Sequence, residues 1–448
     1  MVGKCFSCPI FFILLLSSLV ASLSITRTTE LPRIYIAGDV LIGGLAPVHY
    51  PPSRPSTVTR TTDQHRSCGG PFNIRGLQMA EAIVFAANKI NEEKSLLPGI
   101  KLGVDIRDSC KSVDYAIGET LRFSFIKEVY SGVGDLINCP NVTLKKSKVK
   151  TVVIVGAAYS GITMAVASLA GLFHIPVISY ASTSRLLSDQ SRFQNFLRTV
   201  PSDKLQAKAM VEVIRNYRWN FVATVASDTE YGRSGIQEFK EIASNLNENS
   251  ICVAVDELFT ARTPKEGIIE ILRKIKSFSN VRVIVLFAEL NDADFFFRVA
   301  RNENLIGYVW LGSDAWSESY QILRQNTKIL DNFLGFKPGI ESYLPFREYF
   351  MNITKERKER NYWLRHHLRA VKKEVSSSDL EFSPYTSTAI DAVYAIAHGL
   401  HDLFNCSSTK CHSNISAVSQ MKIFKSVRNV SFLPRLNTRS LSMLKEAL

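Results

Sequence analysis

Beyond position 30 the chain has no apolar run near the roughly 18 residues that cross a bilayer as a helix. Its one long apolar stretch, 9–20, lies at the N-terminus between Lys4 and the small residues Ala21-Ser22-Leu23-Ser24. A basic start, a short apolar core and small residues make 1–24 a secretory signal peptide, which takes Cys5 and Cys8 with it. The phosphate-binding pattern G-x-x-x-x-G-K-[ST] is missing, because Lys does not follow Gly161. Zinc-finger spacings and aromatic-rich RNA motifs are missing too. His398 and His401 flank no recognisable nucleophile, and no set of nucleophile, base and orienting residue emerges. These gaps argue against an enzyme and leave no catalytic residue and no cofactor to assign.

What remains is a chain of 448 residues, 46% hydrophobic and 21% charged, enough for two or three lobes with sizeable cores. The net charge of +13 is concentrated in 145–150 and 355–373. In a secreted chain such clusters read as solvated loops or a helix face, with no nucleic-acid partner. Six cysteines follow the leader: Cys68, Cys110, Cys139, Cys252, Cys406 and Cys411. An oxidising compartment favours disulfides, and Cys406 and Cys411 close so short a loop that they form a natural pair. Asn-x-Ser/Thr sequons begin at Asn141, Asn352, Asn405, Asn414 and Asn429. They support a glycosylated extracellular protein, with Asn405 the weakest because Cys406 is its middle residue.

The stretch 151–203 organises the rest. Thr151–Val155 is a β-branched run that reads as a buried parallel strand. A turn of small residues, 156–161, leads into a helix over 162–173. The unpartnered N–H groups at the start of that helix, with its dipole, make an anion cradle to which Ser160 adds a hydroxyl. A second strand, 177–180, runs into Ala181-Ser182-Thr183 at a strand end, where ligands of open α/β sheets collect.

Strands and helices alternate through the rest of the chain. Strands are expected at 34–40, 102–106, 221–226, 251–255, 281–287 and 308–311. Helices are expected at 75–91, 113–125, 204–217, 233–246, 266–275, 292–303, 346–358, 386–404 and 416–427. Segments 43–67 and 131–150 read as loops, and 332–336 as a crossing back. The alternation predicts doubly wound parallel sheets, and its restart after Asp203 predicts a second sheet and a hinged clamshell with its ligand in the cleft.

Several long motifs then carry a resemblance. They are RGLQMAEAIVFAANKIN, IPVISYASTSRLLSD, FLRTVPSDKLQAKAMVEVIRNYRWNFVATVASDTEYGRSGIQEF, IGYVWLGSDAW and DAVYAIAHGLHDLF. Over about 33–432 the chain resembles the extracellular Venus-flytrap domain of class C G-protein-coupled receptors, of the calcium-sensing and metabotropic glutamate kind. The resemblance implies a bilobed, periplasmic-binding-protein-like α/β fold. It places lobe 1 at 33–203, lobe 2 at 204–336 and a return to lobe 1 at 337–432, with 433–448 a tail unlike the family.

It also implies how a free α-amino acid is held. Ser160 and the N–H groups near Gly161 take the α-carboxylate. Ala181 with its carbonyl and Thr183 with its hydroxyl meet the ammonium and carboxylate, Asp203 faces the ammonium, and Tyr231 and Asp314 close on it from lobe 2. Helix capping is the structural alternative for Ser160 and Asp203, core packing for Tyr231 and a turn acid for Asp314. Glutamate-selective members have arginine where this chain has Met79, which favours an uncharged or aromatic ligand side chain. Arg75, a turn earlier, could reach an acid, and Glu289 could recruit a basic side chain. Calcium is a second candidate ligand, although the oxygen set it needs cannot be assembled from sequence.

Cys68 and Cys110 match an intralobe disulfide of the family. Cys139 matches an intersubunit disulfide and so a homodimer. Cys252 matches a bridge to a downstream cysteine-rich domain. As written, the sequence includes neither that domain nor the seven-helix membrane domain through which a G protein would be engaged. The expectation is a ligand-sensing region facing the exterior of the plasma membrane in a full receptor, or a secreted product. Alternatives are a soluble decoy and the ectodomain of a guanylyl cyclase or ionotropic receptor.

Overall fold

The computed structural model describes residues 32–52, 68–93, 95–123, 151–246, 251–340, 342–377, 380–412 and 419–430. Sequence alternation becomes geometry in two sheets. The first half contributes β1 (Arg33–Ile36), β2 (Val40–Ala46), α1 (Ile74–Glu92), β3 (Leu102–Asp108), α2 (Val113–Thr120), β4 (Thr151–Val155), α3 (Ser160–Gly171), β5 (Val177–Ser179) and β6 (Phe196–Arg198). The chain then builds α4 (Asp203–Asn216), β7 (Phe221–Ser227), α5 (Glu230–Ser244), β8 (Cys252–Phe259), α6 (Lys265–Ser277), β9 (Val283–Phe287), α7 (Leu290–Asn302), β10 (Val309–Gly312), α8 (Asp314–Ser317), α9 (Tyr320–Gln325) and β11 (Asn332–Gly335). It ends in helices: α10 (Leu344–Met351), α11 (Lys355–Arg360), α12 (Tyr362–His366), α13 (Leu368–Val375), α14 (Tyr385–Leu403) and α15 (Gln420–Asn429).

Among the described residues the first sheet runs β1-β3-β2-β4-β5-β6 and the second β11-β10-β9-β7-β8. Every pairing is parallel except β1 with β3 at one edge. Both sheets are covered on both faces, and the period of two along each strand shows it. Val153 and Val155 pack with α1 and α14, whereas Ile154 between them packs with α3. Ala223 and Val225 face α6 and α7, whereas Val222 and Ala226 face α4 and α5. This is the bilobed, doubly wound α/β architecture that the alternation predicted, with the strand ends of both sheets available for a site.

Some elements differ from the sequence reading. The expected strand 34–40 is two strands, because the chain turns between β1 and β2. Residues 43–46, expected in a loop, complete β2 and are buried. Gly43 and Gly44 hid this strand. A Cβ at Gly43 would come within 3.1 Å of the Phe123 ring, and one at Gly44 within 2.9 Å of the Ile106 side chain. The neighbours fill the space that a β-former would normally occupy. Segment 332–335 is an edge strand beside β10, and the return to the first sheet follows it. The expected helix 346–358 breaks at 352–354, where the Thr354 hydroxyl accepts the Arg357 N–H and starts α11.

Candidate functional site

The cradle forms where β4 ends. Residues 156–159 turn the chain, and α3 begins at Ser160, two residues earlier than the periodicity indicated. The first intrahelical bond runs from Thr163 N–H to Tyr159 C=O at 2.9 Å, so the N–H groups of residues 160–162 have no intrahelical acceptor. The helix is capped by Tyr159 with no side-chain bond, so Ser160 is its first residue, not its cap. Ser160 is buried, and its Oγ accepts the Ser184 N–H at 3.3 Å. The turn is fixed from below: the Ala157 carbonyl accepts hydroxyls from Ser179 at 2.7 Å, Thr163 at 3.1 Å and Ser182 at 3.3 Å. Ser182 therefore faces inward, while Ala181 and Thr183 line the cavity.

Asp203 opens α4, but Ser202 is the cap and accepts the Lys204 N–H. Freed from capping, the Asp203 carboxylate is 1% exposed. Its Oδ1 accepts the Gln206 amide at 3.1 Å, and its Oδ2 has no hydrogen-bond partner among the described residues. Burial raises its pKa well above the ordinary carboxylate value, and the Asp314 charge raises it further. Thr183, Arg198 and Gln206 pull it partly back. Arg198 does not pair with it directly; the guanidinium bonds to the carbonyls of Thr183 and Ser184 and to the Ser188 hydroxyl.

Asp314 opens α8 after β10. The Trp316 indole N–H holds this short helix down on the Leu286 carbonyl at 3.1 Å. Asp314 Oδ1 accepts the Tyr231 hydroxyl at 2.5 Å and the Gln206 amide at 3.0 Å, while Oδ2 accepts the Tyr385 hydroxyl at 2.6 Å. Gln206 thus bridges the two acids, and its Oε1 accepts the Asp314 N–H at 2.7 Å. Burial, then the Asp314 charge, raises both tyrosine pKa values. Tyr231 is buried against Phe287 with ring centroids 5.5 Å apart. Tyr385 comes from α14, beside the first sheet. It is placed by segment 381–383, which Gln78 of α1 grips at the Glu381 carbonyl and the Ser383 N–H, both 2.9 Å.

A cavity of about 790 Å³ lies between the two sets of strand ends. Arg75, Met79, Ser160, Ala181, Thr183, Tyr231 and Asp314 all line it, drawn from both sides. Asp203 is not on the wall; it lies behind Asp314, two hydrogen bonds away through Gln206. Gly161 is not on the wall; a Cβ there would come within 3.3 Å of the Glu230 side chain. Arg75 pairs with Glu381, so its charge is already engaged. Glu289 lines the cavity and pairs with Lys111 at 2.6 Å.

Sequence reasoning missed Gln206, Tyr385 and Lys111. Gln206 lies one helical turn after Asp203, which was the available signal. Tyr385 and Lys111 carried none, since their partners come from distant segments.

Cys68–Cys110 and Cys406–Cys411 are disulfides, with Cα atoms 5.6 Å and 3.9 Å apart, and Cys252 is an exposed thiol. Asn352 and Asn429 are exposed. Cys139, Asn141 and Asn414 lie outside the described residues. Among the described residues, no helix is long and apolar enough to cross a membrane.

Two doubly wound sheets facing one cavity through their strand ends define a ligand-binding clamshell of the periplasmic-binding-protein type. The family model described as "Receptor family ligand binding region" matches residues 78–433. The chain belongs to that family, as a Venus-flytrap region of the class C receptor kind. It is 31% identical over 451 residues to the extracellular calcium-sensing receptor of Homo sapiens, covering 88% of this chain and 41% of that protein. It is 33% identical over 434 residues to metabotropic glutamate receptor 4 of Mus musculus, covering 89% of this chain and 45% of that protein. The chain thus spans less than half the length of these relatives. They are receptors and the family is one of ligand binding, so the chain is not an enzyme.

Proposed function

We propose that this chain is the extracellular ligand-binding region of a class C receptor and that its cavity holds a free α-amino acid with an uncharged side chain. The observation that carries the reading is the pairing of opposite poles on one cavity. On one side stands the N-terminus of α3 with Ser160, a receptor for a carboxylate. On the other stands Asp314 on the wall, with Asp203 buried behind it and Asp203 Oδ2 without a hydrogen-bond partner among the described residues. An unpaired buried carboxylate oxygen is costly, and an ammonium group would relieve it. Asp314, already held by two tyrosines and Gln206, adds negative charge and fixes Tyr231 on the wall.

Ligand bridging the poles would draw the two sheets together, and only a difference in affinity between open and closed forms can drive that motion. In a full receptor, closure would reorient a homodimer and act on a G protein through a membrane domain. Calorimetry of the secreted chain with L-phenylalanine tests the reading. Ser160→Ala is expected to weaken binding about fivefold to tenfold and Asp203→Asn about tenfold or more. Unchanged affinity in both variants would remove the site.

A further inference from the structure

Strand β3 ends at Asp108, and two residues later the backbone turns left-handed twice in succession, with φ 52° at Cys110 and 45° at Lys111. Neither residue is glycine, so each conformation is unfavourable in itself and must be held by its surroundings. Asp108 Oδ1 accepts the Cys110 N–H at 2.8 Å, and Cys110 is tied to Cys68. The held turn sends Lys111 across the cleft. Its ammonium lies 2.6 Å from Glu289, which follows β9 of the second sheet, with side chains 19% and 11% exposed. The Tyr159 ring lies 4.6 Å from the ammonium and the Tyr50 ring 5.7 Å, a further electrostatic contribution. Burial opposes the Lys111 charge, but Tyr159, Glu289 and Tyr50 outweigh it and raise the pKa.

Glu289, Tyr50 and Tyr159 line the cavity, apart from the acid pair, whose side-chain partners among the described residues are Gln206, Tyr231 and Tyr385. The Arg75 guanidinium on the same wall is likewise paired, with Glu381. Around Tyr159 the charges are therefore taken up in pairs, with Glu289 on the wall and Lys111 behind it. Elsewhere Asp314 keeps its negative charge, and Arg347 lies over the Phe382 ring. An acidic ligand side chain would have to take Lys111 from Glu289 and leave a buried carboxylate alone. A basic one would strand Lys111 instead. Breaking a buried pair from one side costs far more than the pair itself contributes.

We infer that the Lys111–Glu289 pair, bridging the cleft at the cavity wall, selects for uncharged amino-acid side chains and that removing either partner converts the cavity to the matching charged class. This rests on the amino-acid reading above. Calorimetry of the full chain with L-phenylalanine, L-glutamate and L-lysine tests it. The wild type is expected to prefer L-phenylalanine by about tenfold or more. Glu289→Ala should shift the ratio of L-glutamate to L-phenylalanine affinity about tenfold toward glutamate, and Lys111→Met should do the same for L-lysine.

The swapped double variant Lys111→Glu/Glu289→Lys should restore the wild-type ratios, which keeps the test decisive if a single variant fails to fold. If the wild type binds L-phenylalanine but the single variants leave the ratios unmoved, or the swap fails to restore them, the selectivity inference alone is wrong. If the wild type binds L-glutamate as tightly as L-phenylalanine, it is also wrong. If the wild type binds none of the three, the amino-acid reading fails and takes this inference with it.

Discussion

Asp203 holds an unusual position: a carboxylate fully buried, one oxygen without a partner and a second acid nearby. Its raised pKa has two signed consequences. As pH rises from the ordinary carboxylate range through the raised value, the folded chain holds a proton that the unfolded chain has lost, so stability falls. An ammonium ligand favours the ionised form and expels that proton, so affinity should rise with pH over the same window. Calorimetry from about pH 5 to about pH 8 checks this, below the loss of the ligand's own ammonium proton. Asp203→Asn should flatten the dependence. Affinity that is level or falls with pH in the wild type would count against Asp203 as the ammonium partner.

The elements deliver these residues by close packing, and α5 is the sharpest case. A Cβ at Gly232 would sit 2.1 Å from the Ser227 carbonyl oxygen, so the first turn of α5 rests directly on the end of β7. Tyr231 precedes Gly232, and its bond to Asp314 depends on that seat. Gly232→Ala should destabilise the chain by about 1–3 kcal/mol in urea unfolding. Gly118→Ala in α2, where a Cβ would meet nothing within 4 Å, should stabilise it by about 0.5–1 kcal/mol. Equal effects at the two glycines would contradict the packing described.

The same elements explain what could be read from the sequence. Strand–helix alternation and the two-residue core period are local, so the parallel sheets and most helices were legible. The strand through Gly43 and Gly44 was not, because its packing is supplied by Phe123 and Ile106. The cradle at Ser160 was legible as a strand, turn and helix start. Tyr385 was not, because it meets Asp314 71 residues away, and the Gln206 bridge to Asp314 spans 108. Lys111 reaches Glu289 only because the two sheets face each other.

Across the whole molecule, the two sides of the cavity are joined by more than the acid pair. Ser184 Oγ donates to Ser234 Oγ at 3.0 Å, and Arg185 makes a two-pronged bond to Glu241, each prong 2.8 Å, and meets Glu238 at 3.0 Å. Tyr385–Asp314 and Lys111–Glu289 complete the bridging set. On the proposed reading these contacts would favour a closed form even without ligand, and a zwitterion would add to them by joining the α3 terminus to the acid pair. Neither pole alone does this, so the ligand's two charges should be needed together. The most direct test is calorimetry of the wild-type chain with L-phenylalanine, N-acetyl-L-phenylalanine and L-phenylalaninamide. The account predicts binding of the free amino acid and at least about tenfold weaker binding of each blocked form. Equal affinity for all three would contradict recognition of the amino-acid head between the two lobes.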